Sequence, residues 1–196
     1  MSQNKTNFAV PLAFVGMMFF AIGFALGINS FLIPVLKGAL SLPSGVAYLL
    51  LAATFVPFLI FGYPASATIA KIGYKRTMAL SFLIFAVAFI LFVLSAKLEN
   101  FILFLIASFV SGAANAYLQA SVNPYITILG PIESAAKRMS IMGICNKLAW
   151  PVAPLFFALV VADQTNVQTS DLYLPFYIII GVFLLLGIIS LMALLP

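Results

Sequence analysis

Histidine is absent from the 196 residues, cysteine occurs once, as Cys145, and tryptophan once, as Trp150. Without histidine or a pair of cysteines there is no donor set for a structural zinc site, no disulfide framework and no imidazole for acid–base catalysis. Charge is equally scarce. Nine Lys plus Arg and four Asp plus Glu amount to 7% of the chain, where soluble domains carry about 25%. With 65% of residues hydrophobic and a mean hydropathy of +1.24, there is too little polar surface to solvate a core in water. That excludes a soluble domain, and it excludes disorder, which requires the opposite balance. A nucleic-acid-binding domain is excluded as well, because the net +5 is scattered through apolar sequence rather than gathered into a basic face.

What is present is length in apolar runs. A helix needs about 20 residues to cross a hydrocarbon layer of roughly 30 Å, and six such segments can be traced: Phe8 to Leu36, Pro43 to Ala70, Thr77 to Ala96, Phe101 to Leu129, Met139 to Ala162 and Leu174 to Leu195. Between them stand Lys37-Gly38 with Leu42-Pro43-Ser44, then Lys71 to Arg76, Lys97 to Asn100, Gly130 to Glu133, and Asp163 to Asp171. Glycine, proline and charge end helices at a membrane interface. Stretches such as Met78 to Val93 do not alternate as barrel strands would. The expected fold is an all-α membrane protein, a single six-transmembrane-helix bundle over residues 1–196. The first span is longer than the apolar core of a signal peptide and is read as a retained helix.

The positive-inside rule gives an orientation. Lys5, Lys71, Lys75, Arg76, Lys137 and Arg138 fall on one side, and Lys37 and Lys97 on the other with Glu99, Asp163 and Asp171. Both termini are therefore expected in the cytoplasm. Gly23 and Gly27 share a face of the first span with Ser30, a pattern that serves close helix packing or a cavity wall.

Polar side chains at bilayer depth carry the functional information, since hydrocarbon offers them no partners. In the fourth span Ser108, Ser111, Asn115 and Gln119 lie at i, i+3, i+7 and i+11, within one stripe roughly 80° wide. Asn123 sits at its edge beside Pro124. Such a stripe either bonds one helix to another or lines a wet cavity where amides meet a polyhydroxylated ligand. The fifth span repeats the pattern with Gly143, Asn146, Lys147 and Trp150, ahead of Pro151 and Pro154. Lys147 is the sharpest anomaly. It lies nine residues beyond Arg138, about 13 Å along a helix, and all four acids lie in loops or at span ends. It either snorkels to headgroups or faces a cavity, satisfied there by water, by amides such as Asn146, by an anion or by a second chain. Trp150, one turn on, offers an aromatic face that stacks on a sugar ring or simply packs.

Residues 119–131, QASVNPYITILGP, followed by IESAAKRMSIMGICN ending at Asn146, resemble the NPY/F…LGP…R…N signature of one branch of the Major Facilitator Superfamily, the fucose:proton symporters and bacterial glucose/galactose transporters. GINSFLIPVLK in the first span is similar to that family's N-D-I-L-I-P motif, and KIGYKR resembles the superfamily's loop between helices two and three. The resemblance covers essentially the whole chain as an amino-terminal six-helix half. It implies a bacterial inner-membrane carrier of a hexose or deoxyhexose. Two six-helix bundles would hold substrate between them and rock in alternating access. One bundle is present, so the second is expected from a carboxy-terminal half or another copy. Because the chain ends at Pro196, directly after the sixth span, it is read as half of a protein about twice as long.

On this resemblance Asn29, Ser30, Asn115, Gln119, Asn123 and Asn146 would bond the sugar, Trp150 would stack on it and Lys147 would set charge preference. The departures are specific. Proton-coupled members carry carboxylates at the positions matching Ser30 and Gln119, although Gln at the latter is similar to the glucose/galactose branch. Gly143 replaces the usual Gln of the fifth helix, Lys147 replaces a small residue, and Ala70 stands at the loop motif's acidic position. Ser, Asn and Gln do not titrate, so carboxylate-based proton coupling through this half is not expected. Facilitated diffusion, sodium coupling through neutral oxygens, or a cycle in which Lys147 titrates or meets an anionic sugar remain. An oligomeric scaffold or passive pore is the alternative to a carrier. An intramembrane enzyme lacks HExxH, an acid pair and any serine nucleophile motif.

Overall fold

The computed structural model describes residues 9–161 and 167–192. The expected boundaries at Phe8, Ala162 and Leu195, and the charges of Lys5 and Asp163, lie outside them. Five long apolar helices make up the described residues, with no strands. They are α1 (Ala9–Ala39), α3 (Leu49–Lys97), α4 (Phe101–Ile128), α5 (Ala135–Val160) and α6 (Tyr173–Met192), with a single turn, α2 (Ser44–Ala47), before α3.

At 49 residues, a straight α3 would measure about 73 Å, more than twice a hydrocarbon core. It is in fact two arms. Gly73 takes φ 81° and ψ 169°, a backbone state in which side-chain-bearing residues are strained. The rings record the reversal: Phe61 packs on Phe109 and Tyr117, Tyr74 on Tyr125, and Phe92 returns to Phe104 near the start of α4. The charge and glycine of Lys71 to Arg76 predict a loop there. The structure keeps those residues helical on either side of one glycine, because a single left-handed residue is enough to redirect the chain.

The turn from α3 to α4 follows local chemistry. Glu99 adopts a positive φ of 49°, and the Asn100 side chain accepts from the backbone N–H groups of Ile102 (3.0 Å) and Leu103 (3.2 Å), an N-cap. At the other end of α4, Arg138 closes the turn. Its guanidinium donates to the carbonyls of Ile126 (3.2 Å), Thr127 (3.1 Å) and Pro131 (2.8 Å), and to the Ser134 hydroxyl. These include carbonyls that a helix C-terminus leaves without partners. Counted in the sequence as a topogenic charge, Arg138 is buried and structural.

Aromatic rings hold the second arm of α3 to α6. Phe82, Phe85, Phe89 and Phe92 form one ladder, with Phe85 stacked on Phe183 at 4.7 Å and Phe92 on Phe176 at 5.4 Å. In lipid such contacts act through packing rather than exclusion of water. Two further helix pairs approach through glycine. A Cβ on Gly112 would overlap the Thr54 carbonyl, and one on Gly23 or Gly27 would overlap the Asn146 or Trp150 carbonyl of α5. Pro154 has no N–H to offer the Trp150 carbonyl, and that carbonyl lies against the glycine face of α1.

Candidate functional site

The α1–α5 contact places the fifth helix's polar residues beside the fourth's. A cavity of about 270 Å³ opens between α1, α4 and α5, lined by Phe19, Ile22 and Leu26, by Gln119 and Asn123, and by Gly143, Asn146 and Lys147. Four of the polar residues singled out in the sequence meet there. Gln119, Asn123 and Asn146 are half-buried and Lys147 is exposed. The Asn146 amide donates to the Phe19 carbonyl at 3.1 Å, which fixes the side chain and leaves its oxygen to accept. The Lys147 ammonium stands 5.2 Å from the centre of the Trp150 ring, a cation–π contact one turn along the same helix. Trp150, expected to stack on a sugar, does not line the cavity and reaches it only through this contact with Lys147.

The remaining expected ligands are elsewhere. Asn29 is fully buried. Its Nδ2 donates to the Ala25 carbonyl (3.2 Å) and the Ser111 hydroxyl (3.4 Å), and its Oδ1 accepts from Ser108 (3.2 Å). That uses one end of the polar stripe for packing α1 on α4, so in this arrangement Asn29 has no face open to a ligand. Ser30 is half-buried and returns its hydroxyl to the Leu26 carbonyl at 3.1 Å. Asn115 is sealed: both amide atoms are buried and neither has a hydrogen-bond partner. The stripe from Ser108 to Asn123 therefore divides. Its first half joins helices, its last residues face open space, and Asn115 lies between them without a partner.

Sequence reasoning missed the apolar wall of Phe19, Ile22 and Leu26, because a leucine facing a cavity reads like one facing lipid. The Phe19 carbonyl was also invisible, as backbone acceptors carry no residue-type signal. A repeat signal did exist: Phe19, Ile22 and Leu26 follow helical spacing on the face adjoining Gly23 and Gly27.

Long apolar helices closing around a small polar vestibule define an integral membrane protein of the multi-helix class. The chain belongs to the Major Facilitator Superfamily, whose family model matches residues 14–196. It is 31% identical over 193 residues to a glucose/galactose transporter of Brucella abortus biovar 1 (strain 9-941), covering 96% of this chain and 47% of that protein. It is 26% identical over 168 residues to the L-fucose-proton symporter of Escherichia coli (strain K12), covering 86% of this chain and 38% of that one. The fold is similar to the crystal structure of a Major Facilitator Superfamily transporter, FucP, in the outward conformation. The TM-score is 0.79 at 23% identity, over 96% of this chain and 50% of the other. The chain spans about half the length of the curated relatives it matches.

Proposed function

We propose that this chain forms one six-helix half of a sugar carrier of the inner membrane, working by alternating access with a second half against the cavity between α1, α4 and α5. The single observation that carries the reading is the convergence of Gln119, Asn123, Asn146 and Lys147 on one cavity between α1, α4 and α5. Amides that both donate and accept suit hydroxyl-rich ligands. The relatives named as glucose/galactose transporters and an L-fucose-proton symporter support a sugar as the substrate class. A coupling ion, sodium or proton, would complete the cycle. Exposed apolar residues along α5, among them Leu148 and Leu155, support a second half lying against that helix. Both termini are assigned to the cytoplasm from the distribution of cations.

The test is counterflow of labelled hexose in proteoliposomes containing the protein made from its complete reading frame. Saturable, stereoselective exchange that weakens several-fold in Gln119→Ala is expected. Flux that rises linearly with concentration would instead identify a pore.

A further inference from the structure

Resting on the carrier reading above, we propose that the preferred substrate is an anionic sugar, a hexuronate or hexonate, whose carboxylate meets the Lys147 ammonium while its hydroxyls meet the amides of α4. Among the described residues lining the cavity Lys147 is the sole charged side chain, and the other polar liners, Gln119, Asn123 and Asn146, are neutral. The described acids are accounted for elsewhere. Glu99 accepts from the Thr169 hydroxyl at 3.0 Å, and Asp171 accepts from the Gln168 N–H at 2.9 Å, both at the end of the bundle where α3 turns into α4. Glu133 lies in the turn before α5, and twelve helical residues separate the start of that helix from Lys147, about 18 Å of axial rise.

Trp150 has no negative charge to offer either. Its ring supports one side of the ammonium and cannot neutralise it. When an alternating-access site closes, water leaves, and an ammonium without a counter-charge becomes costly. A neutral hexose would supply hydroxyls only. A carboxylate supplies the missing charge and a charge-assisted hydrogen bond, which is roughly twice as strong as a neutral one. The geometry also separates the two recognition tasks, with amides on α4 and the cation on α5 across the same space. A six-carbon acid with hydroxyls at one end and a carboxylate at the other matches that division.

The experiment measures competition in counterflow by the complete protein in proteoliposomes, comparing glucuronate with glucose and galacturonate with galactose. We expect one hexuronate to compete at a concentration at least about tenfold lower than its neutral parent. In Lys147→Gln that ratio should fall about tenfold, and in Lys147→Arg it should be retained. Elution of each variant as a monodisperse peak controls for folding. If neutral hexoses compete as well as or better than the hexuronates, in wild type and Lys147→Gln alike, the inference is overturned and the carrier reading stands. An acid contributed by the second half would give that result. If neither class exchanges saturably, the carrier reading itself fails.

Discussion

The Asn146 amide donates to the Phe19 carbonyl, and one turn along α1 the Asn146 backbone carbonyl lies against Gly23. One residue of α5 thus touches α1 through both its side chain and its main chain. The cavity wall and a close helix crossing are the same piece of structure, so residues that set packing also set the position of Lys147, one place further on.

Gly23 should therefore tolerate no side chain. A Cβ there overlaps backbone rather than the end of a flexible side chain, and overpacking of this kind costs about 1–3 kcal/mol. Gly23→Ala is expected to lower the thermal unfolding midpoint in detergent. Gly16→Ala serves as the control, since its new Cβ would meet only the Met142 side chain at 3.6 Å, and its midpoint should stay close to wild type.

Asn29→Leu should destabilise. It leaves the buried Ser108 and Ser111 hydroxyls without the amide that joins them, and an orphaned buried polar group costs about 1–3 kcal/mol. The thermal unfolding midpoint in detergent would measure it. A wild-type midpoint would show that the amide's contacts contribute nothing net.

Asn115→Leu should have the opposite sign. The amide is sealed with both polar atoms unpartnered, so an apolar side chain of similar size removes an existing penalty, about 1 kcal/mol. A raised midpoint with slowed counterflow would mark Asn115 as a group satisfied only in another conformation of the cycle. A lowered midpoint would contradict its isolation.

Arg138→Ala should cost about 3 kcal/mol, because four hydrogen bonds to the turn between α4 and α5 are lost and the buried Ile126 carbonyl is left bare. Arg138→Lys should recover little, since an ammonium cannot span carbonyls on both sides of the turn as the planar guanidinium does. Limited proteolysis at residues 129–134 is the measurement, with faster cleavage expected in both variants.

Much of this was legible beforehand for a simple reason: in hydrocarbon, burial is replaced by apolarity, which composition reports directly. The segment from Phe101 to Leu129 was expected as one span and is observed as Phe101–Ile128. The site was half legible. Spacing put Asn115 and Gln119 on one face, correctly as geometry, but could not say that Asn115 is enclosed while Gln119 opens on a cavity. The loop expected at Lys71 to Arg76 shows the same limit, because charge there looked like a helix end while the turn required only Gly73.

The sequence alone determined the solvent, the helical class and the few polar residues worth naming, because each is a property of residue type and spacing along one helix. The tertiary structure decided which of those residues face one another. It turned Arg138 into a helix cap, enclosed Asn29 and Asn115, and gathered Gln119, Asn123, Asn146 and Lys147 around one space. That choice depends on how close two helices can come, which is set where Gly23, Gly27 and Gly112 meet carbonyls far away in the chain, and no local pattern encodes it.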